Sequence, residues 1–353
     1  MQQRKKRECD MATIKEIARE CNVSIATVSN ILNNKGKVGE ETRRLVLEKV
    51  EKMNYVPNRA AKNLKQRTTR TVGIITEDLT VFNAPEIVDG IDDCLEQRGY
   101  SFLLGNLRIY KKYGNDFGYH QEFKAHLEEE LSMMRSNQVE GIIYVSAHGR
   151  DLSDMLEQDV SMPVVAAYGF AGEKQIPSVV FDDEAAAFTV VSNLPEQENG
   201  NIGIIAGEKN SLHTRERLIG CQKALYQKGI LYDPECVYYG DWSREHGYRS
   251  AKKLSDQGIR TIFSMNDSMA AGIYDYAIEQ GLVIGRDILV GGIGSQISDI
   301  LRPRLTTVEM PLFEIGHQAG NIVLDLIEGK ETCSNRIYKV KGKLLNREGG
   351  SCS

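Results

Sequence analysis

Apolar positions along the chain follow two different rhythms. Over residues 14–53 they recur at helical spacing. Ile14, Ile17, Ala18 and Cys21 mark one face of a first helix, which Thr13-Ile-Lys-Glu16 opens as a capping box. Asn22 tolerates the left-handed backbone that ends a helix, and Ser24 is a second N-cap. A second helix over about 24–32 turns Val28, Ile31 and Leu32 inward and shows Ile25, Ala26, Thr27, Ser29 and Asn30 on its other face. A third, Glu40 to Met53, packs through Leu45, Val46, Val50 and Met53. Two short helices joined by a tight turn make a helix-turn-helix unit, whose second helix fits the major groove of DNA.

From Thr71 the rhythm becomes strand, then helix, repeatedly. Strands are predicted at Val72–Ile75, Tyr100–Leu104, Gly141–Val145 and Pro163–Ala167, with helices at Pro85–Arg98 and Phe123–Asn137. A second series has strands at Ile202–Ala206, Cys236–Tyr239, Thr261–Ser264 and Ile288–Gly291, with helices over 215–228, 244–257 and 268–280. Such alternation means parallel sheets covered by helices. Two series predict two lobes, with a ligand in the cleft at the strand C-terminal ends. The expected fold class is thus a small all-α head on a two-lobed α/β body. Arg108 to Phe117 stands out as an insert rich in Tyr and Lys, read as a surface loop, with a cover for the cleft as the alternative.

The net charge of −5 hides an asymmetry. Residues 1–70 hold 17 Lys and Arg against 8 Asp and Glu, and the remainder 27 against 41. A basic head on an acidic body directs only the head to a polyanion. Hydrophobic residues make up 41% of the 353, enough for a large core, and no run approaches the roughly 20 apolar residues of a membrane span. The seven cysteines have no Cys-x-x-Cys pair, which reads as reduced cytosolic thiols. No secretory leader is recognised, and Met11 is a candidate start. A cytoplasmic protein without a membrane role is expected.

There is no phosphate-binding Gly-x-x-x-x-Gly-Lys loop and no Gly-x-Ser-x-Gly elbow, and the six histidines are scattered. Gly291-Gly-Ile-Gly294 lacks dinucleotide spacing. No catalytic residue, metal or cofactor is therefore expected.

Met11-Ala-Thr-Ile-Lys-Glu-Ile-Ala18, Asn22-Val-Ser-Ile-Ala-Thr-Val-Ser-Asn-Ile-Leu-Asn33, Glu40-Glu-Thr-Arg43 and Asn54-Tyr-Val-Pro-Asn-Arg-Ala-Ala-Lys-Asn-Leu64 resemble the lactose/galactose repressor (LacI/GalR) family in order and spacing. The resemblance continues to the C-terminus. It implies an N-terminal extension 1–11, a DNA-binding domain 12–57, a hinge helix and linker 58–69 and an effector-binding, dimerising domain 70–353, built like periplasmic sugar-binding proteins. Asn30 suits hydrogen bonding to adenine, and Ile25 or Ala26 contact with a thymine methyl. Thr13, Ser24, Thr27 and Ser29 suit phosphate contacts. Asn33, Tyr55 and Asn58 complete the expected DNA-facing set. Ala61 matches the close packing of paired hinge helices, and Leu64 the apolar wedge that kinks the minor groove. The implied partners are pseudo-palindromic operator DNA, a second copy of the chain in a homodimer and a small sugar-like effector, a disaccharide included.

For the effector the resemblance implies Arg217 within Arg215-Glu-Arg-Leu-Ile-Gly220, and the sole tryptophan, Trp242, within Gly240-Asp-Trp-Ser243. It also implies Asn266 as a hydroxyl ligand and Asp267 as helix cap or ligand. Asp78, Phe82 and Asn83 follow the first strand and line the first lobe, and Asp182 is a weaker candidate. One departure stands out: Ile293 or Gly294 replaces the binding aspartate of many members. The functional expectation is a repressor of a carbohydrate-use operon, released by its effector. The alternatives are a catabolite-control regulator with a phosphorylated carrier protein as corepressor, and a sugar-binding enzyme with an unrelated helical head.

Overall fold

The computed structural model describes residues 12–33, 35–36, 38–55, 68–113, 121–147, 149, 151–153, 155–156, 162–171, 176–195, 201–294, 297–330 and 336–345. The chain divides into two compact units after Thr69. No helix among the described residues is long and apolar enough to cross a membrane.

The first unit holds α1 (Ile14–Glu20), α2 (Ile25–Leu32) and α3 (Glu40–Lys52). The capping box is formed: the Glu16 N–H donates to the Thr13 hydroxyl at 3.3 Å, and the Thr13 N–H donates to the Glu16 carboxylate at 2.7 Å. Those bonds hold the Glu16 carboxyl below the usual carboxylate range. Asn22 (φ 50°) and Asn54 (φ 47°) adopt the left-handed backbone just beyond α1 and α3. Ile17, Val28 and Val46 are fully buried where the three helices meet.

Leu45 corrects the predicted packing face. It is 50% exposed, whereas Val46, Val50 and Met53 turn inward. Positions 46, 50 and 53 share one stripe of a helix, and position 45 lies about 100° away from it.

The second unit contains two six-stranded sheets. The first joins β1 (Thr71–Thr76), β2 (Ser101–Asn106), β3 (Gly141–Val145), β4 (Val164–Ala167), β5 (Ser178–Phe181) and β11 (Ile337–Val340), in the order β11-β5-β4-β3-β1-β2. Its helices are α4 (Ala84–Gln97), α5 (Ile109–Tyr113) and α6 (Gln121–Ser136), together with α11 (Leu312–Ile327), which packs on α4, β3, β4 and β5. The second sheet joins β6 (Ile202–Ala206), β7 (Val237–Tyr239), β8 (Thr261–Ser264), β9 (Leu289–Ile293), β10 (Thr306–Glu309) and β12 (Lys343–Leu345), in the order β12-β10-β9-β8-β6-β7. α7 (Asp183–Asn193), α8 (Leu212–Gln227), α9 (Arg244–Asp256) and α10 (Asp267–Glu279) complete that lobe.

Every strand pair is parallel except β10 with β12. Parallel strands covered on both faces read as continuous apolar runs, and β3 (Gly-Ile-Ile-Tyr-Val) and β6 (Ile-Gly-Ile-Ile-Ala) are buried throughout. The insert after Arg108 is not wholly a surface loop: α5 begins there, and Ile109 is 3% exposed within the first lobe's core.

The chain passes between the lobes three times, at Asp182, at Met310-Pro311 and at Lys341-Gly342. These passages are tied in: the Asp182 N–H donates to the carbonyl of Val340, next to Lys341, at 2.9 Å, and the hydroxyl of Tyr168, just after β4, donates to Met310 Sδ at 3.7 Å. They bring the C-terminal ends of both sheets together, where a two-lobed α/β protein takes its ligand.

Candidate effector site and DNA-facing helix

The site is organised around Arg217, on the first turns of α8 and 3% exposed. Its Nε donates to Asp183 Oδ1 at 2.6 Å, and its Nη1 donates to the Met265 carbonyl. The guanidinium carbon lies 5.9 Å from the Phe181 ring centre and 5.7 Å from that of Trp242. A guanidinium near aromatic rings gains cation–π attraction, and its planar fork leaves further N–H groups for a ligand. Asp183 also meets His213 Nδ1 at 2.6 Å. Burial pushes the Asp183 carboxyl up, but the attraction and hydrogen bonds of His213 and Arg217 outweigh it and hold it below the usual range. The pair is a paired buried charge, the only kind an interior tolerates cheaply.

Asp182, read from the sequence as a weak candidate, instead caps α7 by accepting from the Ala185 N–H at 3.2 Å. The carboxylate that turns to the arginine is its neighbour, Asp183.

Trp242 has φ +64°, and Tyr168, on the opposite lobe, has φ +62°. Non-glycine residues held there are strained, and such strain gathers at functional sites. The Trp242 carbonyl accepts from Asn266 Nδ2 at 3.0 Å, while Asn266 Oδ1 accepts from the Met269 N–H at 2.7 Å. Asn266 is therefore the N-cap of α10, the role expected of Asp267. Both polar ends of the asparagine amide are engaged, so its described bonds hold Trp242 and α10.

Asp267 is 5% exposed and accepts from the Ser298 N–H at 3.2 Å and the Thr307 hydroxyl at 3.4 Å. Burial pushes its carboxyl up to about 6, against the lowering pull of those bonds. Gly294 explains the missing aspartate: a Cβ built there would run into the Asp267 carboxyl. Asp267 thus fills the space a side chain at 294 would need, and Ile293 is fully buried in β9.

On the first lobe, Asp78 is 3% exposed, and its Oδ1 accepts from the Thr80 N–H and hydroxyl at 2.9 and 2.6 Å. Asn83 is fully buried; its Nδ2 donates to the Ser146 carbonyl at 3.0 Å, and its Oδ1 has no partner among the described residues. An unmet buried acceptor costs about 1–3 kcal/mol, the kind of penalty a bound hydroxyl removes. Phe82 is 43% exposed beside it in the chain.

The structure therefore brings Arg217, Trp242 and Asn266 together, and places Asp78, Phe82 and Asn83 after β1 of the other lobe. Phe181, Asp183, Tyr168 and His213 were missed by sequence reasoning. The adjacent acids 182 and 183 at a strand end were the one available signal.

In the first unit, Ser24 caps α2 by accepting from the Thr27 N–H at 3.0 Å. Ile25 is 45% exposed, Ala26 and Asn30 are exposed, and Thr27 and Ser29 are half-buried. Asn33 folds back, its Nδ2 donating to the Ser29 carbonyl at 2.7 Å, and Tyr55 packs half-buried on the three-helix core. Asn58, Ala61 and Leu64 lie outside the described residues.

Residues 13–58 match the model of bacterial regulatory proteins of the lacI family, and residues 191–349 that of a periplasmic binding protein-like domain. Catabolite control protein A of Priestia megaterium is 30% identical over 340 residues, covering 95% of this chain and 98% of that protein. The chain belongs to the LacI family. The repressor CytR of Escherichia coli K12 is also 30% identical, over 93% of this chain and 94% of that protein. A lac repressor dimer bound to operator shares the fold with a TM-score of 0.76 at 22% identity, over 96% of this chain and 98% of that one. A CelR–cellobiose complex does so at 0.64 and 24%, over 96% and 100%. This LacI-family chain is a DNA-binding transcription repressor with an effector-binding domain.

Proposed function

We propose that the chain represses a carbohydrate-use operon from a pseudo-palindromic operator, as a homodimer, and leaves the operator when a small sugar-like molecule occupies the cleft. The observation that carries the effector reading is Arg217, buried against Asp183 with Phe181 and Trp242 both within 6 Å. Aromatic faces and a rigid donor fork are what a ring with paired hydroxyls needs. The partnerless Asn83 Oδ1 across the cleft supports it.

The division of labour follows the chain. Residues 12–57 bind DNA, 58–69 form the hinge, and 70–353 sense the effector and dimerise. Asn30, Ile25 and Ala26 face base edges, with Thr13, Ser24, Thr27 and Ser29 at phosphates and Asn33, Tyr55, Asn58, Ala61 and Leu64 completing the contact. Asp267 leaves the ligand set and becomes a brace.

Isothermal titration with glucose, galactose, lactose, maltose, sucrose and cellobiose tests the sensor. At least one binds and weakens the affinity for operator DNA selected from a random pool. If none binds and none weakens that affinity, the sugar reading fails. A second reading, corepression by a phosphorylated carrier protein, is favoured by the match to catabolite control protein A. Retention of that carrier on the immobilised chain, with tighter operator binding, decides for it.

A further inference from the structure

His213 takes no part in the family match drawn from the sequence, yet it connects three pieces of the second unit. It stands on the first turn of α8, two residues into the helix. Its Nδ1 meets Asp183 Oδ2 at 2.6 Å, on the second lobe. Its Nε2 accepts from the backbone N–H of Gly149 at 2.8 Å, on the loop that follows β3 of the first lobe. Its ring lies 4.9 Å from that of Tyr168, which follows β4 of the first lobe.

The two nitrogens have opposite roles. A backbone N–H can only donate, so Nε2 is bare, and the proton sits on Nδ1, facing the carboxylate. The ring thereby passes one hydrogen bond from each lobe through a single rigid plane. The approach also requires glycine at 149, because a Cβ there would lie 2.5 Å from Nε2. Through Asp183 the ring also reaches Arg217, whose Nε shares that carboxylate.

We infer that His213 is a positioning residue that ties the first lobe's Gly149 loop to the Asp183–Arg217 pair, so that the two lobes hold the effector site as one unit. This rests on the cleft reading of Arg217 given above, but not on the effector being a sugar. It touches the ligand only through others: Asp183 is oriented from one side by His213 and from the other by Arg217. A movement of the Gly149 loop then shifts the guanidinium, and the reverse holds by linkage.

Three variants of the full chain test it by amide hydrogen exchange and by emission of Trp242, the sole tryptophan and within 6 Å of the Arg217 guanidinium. In His213→Ala, exchange in the peptide from β3 to Leu156 rises roughly three- to tenfold, the loss of one buried hydrogen bond read as an opening ratio, and Trp242 emission shifts. His213→Gln, whose amide both donates and accepts, restores both signals. Gly149→Ala, whose Cβ would press on the His213 ring, raises loop exchange and shifts Trp242 emission as well, because the displaced histidine no longer holds Asp183 in place. Unchanged loop exchange in His213→Ala overturns the inference. So does an equal rise in the β6 peptide, which marks general destabilisation, or failure of His213→Gln to restore either signal. All readouts are taken without ligand, so failure of the sugar titrations leaves this result standing on its own.

Discussion

Replacing Asp267 with asparagine should stabilise the protein at neutral pH and do nothing at low pH. The carboxyl is 5% exposed and is pushed from 3.8 up to about 6, chiefly by burial. The native state therefore holds this proton between about pH 4 and 6, where the unfolded chain has released it. Stability thus falls as pH rises through that window, and above it the full cost is present. A shift of about two pH units corresponds to about 3 kcal/mol. Asparagine can keep both contacts: its oxygen accepts from the Ser298 N–H, and its amide donates to the Thr307 hydroxyl, which turns to accept. Allowing for imperfect geometry, Asp267→Asn should gain about 1–3 kcal/mol at pH 7.5 and nothing at pH 4. Urea unfolding of variant and wild type at both pH values measures the difference. The reasoning is refuted if the variant keeps the wild-type pH dependence between 4 and 7, or is less stable at pH 7.5.

Three further outcomes follow from the same geometry. Asp183→Asn leaves the Arg217 charge buried without its counter-ion and should destabilise by roughly 3 kcal/mol at pH 7, read as a lowered urea midpoint. Because the native Asp183 carboxyl is held low, its contribution is present above the unfolded carboxylate range and lost as pH falls through the native value, so the deficit of Asp183→Asn should shrink on acidification. Val46→Ala, at a fully buried position, should cost the three-helix unit about 1–3 kcal/mol, seen as an earlier helical melt with the α/β unit's transition unmoved. Ile25→Ala, 45% exposed, should leave that melt in place while weakening selected-operator binding several-fold more than random DNA binding in fluorescence anisotropy.

Much of the fold was legible because its periods are clean. The helices of the first unit carry caps at Thr13 and Ser24 and a left-handed asparagine at 22, all local features that need no tertiary knowledge. The paired strand–helix series was equally plain. α7 was not read because Asp-Glu-Ala-Ala-Ala-Phe-Thr-Val-Val packs on α8 and on strands β9, β10 and β12, so its apolar positions follow no single stripe. α11 went unread although Leu312, Ile315, Ala319 and Val323 make one apolar stripe, which packs on α4 and three strands.

The site was legible where one residue type stands out, as with the lone Trp242, and illegible where partners come from distant segments. Asp183 meets His213 and Arg217 only through the packing of α7 on α8, across some thirty residues of chain. Neighbouring polar residues also take roles that local sequence does not separate. Asn266 caps and Asp267 braces, and Asp182 caps while Asp183 pairs, because which of two neighbours faces inward depends on where the helix starts. Gly294 looked like a lost ligand from the sequence; in the structure it makes room for Asp267.

The central claim is that one chain couples operator binding to occupancy of the Arg217 cleft. Fluorescence anisotropy of a labelled duplex, selected by the full chain from a random pool, tests it most directly when titrated with and without saturating sugar from the panel. The account predicts tight, salt-sensitive binding that one sugar weakens at least tenfold, and an Arg217→Met variant that still binds the duplex but no longer responds. Contradiction would come from equal release in Arg217→Met, or from operator binding that no sugar in the panel changes.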